Sequence, residues 1–359
     1  VYGPTGAAAL LAAFFAVPFF AVPFFAVLFF DTAFFVADFL TVFFLAAMPQ
    51  PYSSDMASVS RAVGLSRRAF IQRGVGIGAA TVVAPSFLAA CGGSGGAGKG
   101  FDLAGFDLVK RFPGDVLVPG RLRLPFSLAG SEGVLTASAD VDIPTALSFA
   151  ITDIDGKGIG LDDPLVVTSH VTDVPQPYWP LEVTIDKPGI YVVNLVGSDK
   201  PGSSIQILDR SEVAVPLVGD PLPPVDTPTV SDARDVDPIC TREPACPLHD
   251  VTLREALTLD KPVAYLLGTP AYCQTGTCSP ALDAILEVRD KVGDAVTFIH
   301  AEIYTDRTAT TPAKAVTDYA MKYEPALFIT DANGVLTDRL DAIFDADEVR
   351  AVFARNGIS

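Results

Sequence analysis

Between residues 106 and 217 apolar and polar side chains alternate in short runs: DVLVPGRLRLPFSL, TALSFAITDIDGKGI, PLVVTSHVT, LEVTIDKPGIYVVNLVG and SIQILDRSEVAVPL. Alternation sends successive side chains to opposite faces of a strand, so each run predicts strands with one face buried. Punctuation by Gly and Pro predicts an antiparallel β-sandwich. A Pro- and Asp-rich stretch, 218–245, reads as a linker, and after it the period changes. LREAL predicts a helix and KPVAYLLG a buried strand. SPALDAILEVRDKVG predicts a helix begun by Ser–Pro, with Leu282, Ile285, Leu286 and Val292 on one period. AVTFIHAEIY predicts a strand, TPAKAVTDYAMKY a helix, and PALFITDANGVLTDRLDAI a hairpin through Asn333 and Gly334. DADEVRAVFARNG closes as a helix with an acidic start and a C-terminal Gly. The order βαβ, α, hairpin, α predicts an α/β domain with a mixed sheet over 246–359, so the chain is multidomain.

The first 55 residues follow neither period. Phenylalanine pairs begin at positions 14, 19, 24, 29 and 34. A step of five turns a helix by about 140°, which builds no single apolar face, and a strand needs a step of two. Asp31, Asp38, Pro18 and Pro23 interrupt the segment, and no Lys or Arg is present to orient it in a bilayer. Two readings stand. Residues 1–55 are upstream sequence read through from a mis-assigned start, or they are a genuine hydrophobic low-complexity region. The chain opens on Val1 and Met56 begins a complete export signal, which favours the first.

From Met56, Arg61, Arg67, Arg68 and Arg73 precede a Gly- and Ala-rich apolar run of about seventeen residues, suited to a signal peptide and too short to span. SRRAFIQ, residues 66–72, resembles the twin-arginine export motif through Arg67 and Arg68, with Gln72 in place of the usual lysine. LAAC, residues 88–91, resembles a bacterial lipobox. The resemblance implies a signal peptide over 56–90 and an acylated Cys91 as mature N-terminus. The lipid bilayer is then a partner, and the protein faces the extracytoplasmic side of the cell membrane, where disulfides persist. Residues 91–105, opening CGGSGGAGKG, read as a flexible tether. Gly93 to Lys99 approaches a phosphate loop, but Gly100 stands where Ser or Thr would hold magnesium, and no strand precedes it.

Residues 91–359 hold all but three of the 42 acidic and all but four of the 25 basic side chains, a net charge of −18. That balance argues against nucleic acid as a partner and against docking on anionic lipid through a basic patch. The acids are evenly spread, as on a solvated surface.

DKPGIYVVNL resembles the end-of-sandwich segment of immunoglobulin-like domains, in which a tyrosine, here Tyr191, braces a corner. Val193 stands where the family's cysteine would, so its inter-sheet disulfide is not expected. DIDGKGIGLDD fails the calcium-loop spacing and reads as a tight hairpin turn. Tyr178 and Trp179, between prolines, read as a packed sandwich edge rather than a sugar-binding surface.

Four cysteines remain once Cys91 is set aside, an even count compatible with two bridges in one of three pairings. Cys273 and Cys278 lie where the first α/β strand meets its helix, with four residues between them. Five steps along a helix span about 7.5 Å, beyond the reach of a disulfide, so a bridge needs a loop there. Gly276 permits one, and Ser279 as cap with Pro280 in the first turn would start the helix just beyond Cys278. A thiolate at a helix N-terminus has a lowered pKa. Both a structural staple and a redox pair satisfy this geometry.

The element order, Tyr272 before Cys273 and Pro325 in YEPALFITDANG resemble the thioredoxin-like family over about residues 248–359. The resemblance implies thiol–disulfide exchange with extracytoplasmic dithiol or disulfide proteins. Cys273 would be the attacking and Cys278 the resolving thiol, although CSPA from Cys278 makes the opposite assignment tenable. Pro325, in the place of the family's cis-proline, would hold a partner's backbone in reach and keep metal off the thiols. Two departures stand out: four residues rather than two between the cysteines, and no buried acid in PVAYLL. The competing class is a non-enzymatic envelope-binding lipoprotein, and a metal-delivery protein is a third. No cofactor motif appears.

Cys240 and Cys246 read as a structural disulfide, without a helix start or aromatic beside them. With His249 they also lie within ten residues, but a zinc site needs a fourth ligand and closer cysteines, so no metal is expected. His300, inside an apolar strand, and His170 read as satisfied core histidines.

Overall fold

A computed structural model describes residues 101–137, 142–159 and 164–358. The export signal, the lipobox and Cys91 lie outside the described residues. The architecture is β-rich and mostly antiparallel, with few helices.

The alternating half forms β1 (Asp107–Lys110), β2 (Gly120–Gly130), β3 (Gly133–Val134), β4 (Ala146–Asp153), β5 (Leu165–Thr168), β6 (Trp179–Ile185), β7 (Gly189–Leu195) and β8 (Ser203–Ile207). In one sheet β2 pairs with β1, β3 and β6; the other runs β5-β4-β7-β8, and every pairing is antiparallel. The inward sets of the two sheets, among them Leu124, Phe126, Phe149, Ile151, Trp179 and Leu181, share one core. Phe126 and Phe149 stack with centroids 5.8 Å apart. Trp179 is fully buried, so it packs the sandwich rather than facing solvent. The DIDGKG segment is a tight turn: Asp153 accepts from the Asp155 and Lys157 N–H groups at 3.0 and 2.8 Å. Beyond the strand end, the Tyr191 hydroxyl donates to the Lys187 carbonyl at 3.0 Å.

The second half forms α1 (Leu253–Ala256), β9 (Val263–Leu267), α2 (Cys278–Val292), β10 (Thr297–Ala301), α3 (Lys314–Asp318), β11 (Ala326–Thr330), β12 (Leu336–Asp341) and α4 (Ala346–Arg355). The sheet order is β10-β9-β11-β12, with β9 and β10 parallel and the other pairs antiparallel. Every residue of β9 and β11 is buried, because elements cover both faces of these central strands. Ala264, Leu266, Leu327 and Ile329 share a core with Leu282 and Ile285 of α2 and Val352 and Phe353 of α4. Tyr265, Leu267 and Phe328 face the opposite core, with Leu253 of α1 and Val316 of α3.

Two expectations change. The segment 218–245 is not a free linker. Gly219 and Leu222 donate backbone hydrogen bonds to Leu336 and Gly334 at 2.8 and 2.9 Å, and Asp237 donates to Thr305 at 2.8 Å. Leu222 and Val225 enter one core of the second sheet and Cys240 the other. Pro and Asp composition signals lack of regular structure, and here an irregular segment still buries apolar anchors. Helix α2 also begins at Cys278 itself, with Thr277 as N-cap and Ser279 inside the first turn.

The two halves belong to one compact unit. Arg123 on β2 donates to a Glu348 carboxylate oxygen at 2.7 Å and to the Asp341 carbonyl at 3.1 Å. The Tyr178 hydroxyl donates to Glu348 at 2.7 Å and accepts the Asp345 N–H at 3.0 Å. His170 is no core histidine: its Nδ1 lies 2.7 Å from Asp345 Oδ2. Among the described residues no helix is long and apolar enough to cross a membrane.

Candidate functional site

Strand β9 ends at Leu267, and the chain crosses the top of the sheet in an irregular loop before α2 starts. Gly276 has φ +69°, a left-handed conformation that glycine adopts without a Cβ penalty, and its N–H donates to the Cys273 carbonyl at 3.2 Å. This turn brings Cys273 back over the helix start. The Cys278 N–H, an orphan donor of the first helical turn, donates to Cys273 Sγ at 3.4 Å. Thr275 Oγ1 lies 3.2 Å from the same sulfur. Cys273 is half-buried and Cys278 fully buried, both as free thiols.

The hydrogen bond with Cys278 is the largest influence on Cys273. Against burial, and with Thr275 and the Cys278 and Thr277 N–H groups, it holds the thiol at about 4. Cys278 moves the other way: its hydrogen bond to Cys273, its burial and the Glu324 charge all keep its proton on. The pair is polarised, with the accessible sulfur as thiolate and the buried one as thiol.

Pro325 lies on the segment entering β11, and the Glu324–Pro325 peptide is cis. A Cβ built on Gly268, just past β9, would lie 3.5 Å from Pro325 Cβ and 3.7 Å from Cys278 Sγ, so proline and thiol flank this glycine. Tyr272 packs edge-on against Tyr304, centroids 6.4 Å apart. The four residues expected at this site thus meet at one end of the sheet.

Glu324 was not among them. One of its carboxylate oxygens and both sulfurs lie within 4.8 Å of one another. Its Oε2 is buried without a hydrogen-bond partner. Burial, then the charges of Cys273 and Glu302, push this carboxyl up to about 8. A half-buried acid thus stands beside the pair, on the residue before Pro325 rather than in the strand PVAYLL. The available signal was the Glu–Pro dipeptide: a residue preceding a proline that faces the pair must itself sit beside it.

Cys240 and Cys246 depart from expectation more sharply. Both are buried and carry free sulfurs, with no bridge between them. His249 Nε2 lies 3.2 Å from Cys246 Sγ, and His300 Nδ1 lies 3.4 Å from Cys246 Sγ and 3.8 Å from Cys240 Sγ. His300 is a satisfied core histidine, fully buried with Nε2 on the Gly268 carbonyl, and its Nδ1 faces both sulfurs. It is the fourth member of a cluster in which the sequence displays three members together and the parallel pairing of β9 and β10 delivers the last.

No family model and no curated protein matches this chain. What the molecule does must be read from its two cysteine sites.

Proposed function

We propose that this chain is a thiol–disulfide exchange protein acting through Cys273 and Cys278. In this reading the second half is thioredoxin-like, the first half is an immunoglobulin-like sandwich, and the protein is held outside the cell membrane by acylated Cys91. The single observation that carries the proposal is the polarised pair. A half-exposed sulfur held as thiolate by hydrogen bonds, that with Cys278 first and the helix-start N–H groups after it, sits beside a buried thiol and a half-buried carboxyl.

Further features support the family readings. The sheet order β10-β9-β11-β12, with one parallel pair, is consistent with a thioredoxin-like core, and Pro325 and Cys278 flank Gly268. The Tyr191 bond to a carbonyl four residues upstream fits the corner of an immunoglobulin-like domain.

In the exchange, the Cys273 thiolate attacks one sulfur of a partner disulfide. An S–S bond forms to Cys273 and the partner's other sulfur leaves as thiolate. The charge on Cys273 is then gone, which removes one of the influences holding a proton on Glu324. Glu324 gives its proton to the departing partner thiolate, and the carboxylate so formed takes the Cys278 proton. Cys278 sulfur attacks Cys273 sulfur, the mixed disulfide breaks, and the partner's second thiolate leaves and takes that proton from Glu324. The partner is reduced by two electrons and the 273–278 pair is oxidised; the reverse sequence oxidises a dithiol. The loop across 273–277 makes this closure possible where a helix would forbid it.

The test is exchange with a peptide disulfide and with a peptide dithiol, together with the reduction potential of the pair. A potential above about −300 mV with rapid exchange supports the proposal. A bridge below that value, inert to both peptides, whose loss unfolds the domain, refutes it.

A further inference from the structure

Four side chains of two elements converge beneath the loop that carries Cys273. Cys240, Cys246 and His249 belong to the segment before α1, and His300 projects from β10. One ligand atom from each lies within 4.8 Å of all the others, and all four residues are buried. We infer that these four residues form a tetrahedral Cys2His2 site for zinc, built into the molecule beside the exchange pair.

Zinc binds thiolate sulfur at about 2.3 Å and imidazole nitrogen at about 2.0–2.1 Å, so a tetrahedral site has sulfur-to-nitrogen edges of about 3.6 Å. The observed edges are 3.2, 3.4 and 3.8 Å and straddle that value. Hydrogen bonding alone accounts for the arrangement poorly. Thiols are weak donors and acceptors, yet two imidazole nitrogens converge on the two sulfurs.

The tautomer of His300 points the same way. Its Nε2 lies 3.0 Å from the Gly268 carbonyl oxygen. A carbonyl can only accept, so Nε2 carries the hydrogen, and in the neutral ring the Nδ1 lone pair faces Cys240 and Cys246. Ligating histidines are typically oriented in this way by a second-shell acceptor. The Cys246 N–H also donates to Cys240 Sγ at 3.3 Å, as backbone amides do to a coordinated thiolate.

Charge is balanced too. Two thiolates neutralise a divalent ion, so the closed site is uncharged overall and suited to burial. With four protein ligands no coordination position stays open, which assigns the ion a structural role: it pins the segment before α1 to β10. A Cys240–Cys246 disulfide would satisfy both sulfurs but leave two imidazoles aimed at a bridge that needs neither. Export of an already folded chain, which the twin-arginine reading implies, would let the thiolates bind zinc before meeting an oxidant.

The experiment is elemental analysis of the full chain purified without reductant, with mapping of alkylated cysteines by mass spectrometry. The expected result is one zinc per chain, with Cys240 and Cys246 alkylated only after a chelator removes it under mild denaturation. Cobalt in place of zinc should give thiolate charge-transfer bands and tetrahedral d–d bands. His249→Ala and His300→Ala should each lower zinc retention at least about 10-fold, whereas Cys273→Ser should leave one zinc in place. His249→Ala, whose residue lies outside the sheet, serves where His300→Ala does not fold. A metal-free chain with Cys240 and Cys246 disulfide-bonded would overturn the site. So would zinc that survives both histidine substitutions, or zinc that is lost with Cys273.

Discussion

Two cysteine pairs lie close together in this molecule and differ in almost everything except sulfur. Cys240 and Cys246 are buried, six positions apart in irregular chain, and faced by imidazole nitrogens. Cys273 and Cys278 straddle a helix start, one half-exposed and one buried, and are faced by a backbone N–H and a carboxyl. A thiol's chemistry is set by what meets it. Lone pairs on two histidines complete a cage for a soft cation. Hydrogen bonds to one sulfur and burial of the other beside an acid push the two thiols in opposite directions. The regions also touch. The Thr241 hydroxyl donates to Glu302 at 2.8 Å and accepts the Ala271 N–H at 3.0 Å, and His300 reaches Gly268, which lies against Cys278.

The sharpest way to break this comparison is to remove one sulfur from each region. Cys273→Ser should lower exchange with a peptide disulfide by more than about 1000-fold, since no other described cysteine combines exposure with a stabilised thiolate. Cys240→Ser should leave a measurable exchange rate on whatever fraction remains folded. Loss of exchange from both variants at equal folded fraction would mean that the regions act as one site.

Glu324→Gln tests the division of labour inside the second pair. In the proposed exchange Glu324 takes the Cys278 proton, so its removal should slow the resolving step by about 100-fold, within the usual range for a general base. Mixed disulfide at Cys273 should then accumulate in quenched samples. If resolution keeps its rate, Glu324 is only a half-buried neighbour of the pair.

Arg123→Met strikes between the halves instead. It leaves Glu348 buried without its ion-pair partner, which costs about 3–5 kcal/mol in such settings. Denaturant unfolding should report that loss, while the exchange rate of the folded protein stays within about twofold. A large kinetic change would mean that the sandwich positions the exchange loop.

The smallest effect is in pH. The Cys273 thiolate forms as pH rises through about 4, so its alkylation rate should climb there and stay level above about pH 5. An ordinary thiol would still be gaining rate near pH 8.5. A Cys273 profile that rises only above pH 7 would remove the hydrogen bonds from Cys278, Thr275 and the helix-start N–H groups as a source of reactivity.

The sequence by itself determined what depends on near neighbours. Alternation set the strands of the first half, because side-chain direction repeats every two residues along any extended chain. A period of 3.6 set α2 and α4, and Asn333–Gly334 set the hairpin between β11 and β12. The loop across Cys273–Cys278 was equally legible, since disulfide reach and helical rise are local geometry. Tertiary structure alone decided the rest. Glu324 meets Cys278 because β11 pairs with β9, and His300 meets Cys246 because β10 lies parallel to β9 in a register that places it opposite Leu266. The segment 218–245 looked like a linker because irregular chain carries no period. Yet Leu222, Val225 and Cys240 are buried in it, for burial needs only an apolar side chain and a place to put it. Residues brought together from 50 positions apart leave no shared periodicity to read. Their meeting is a property of strand pairing, and so are the cage and the acid.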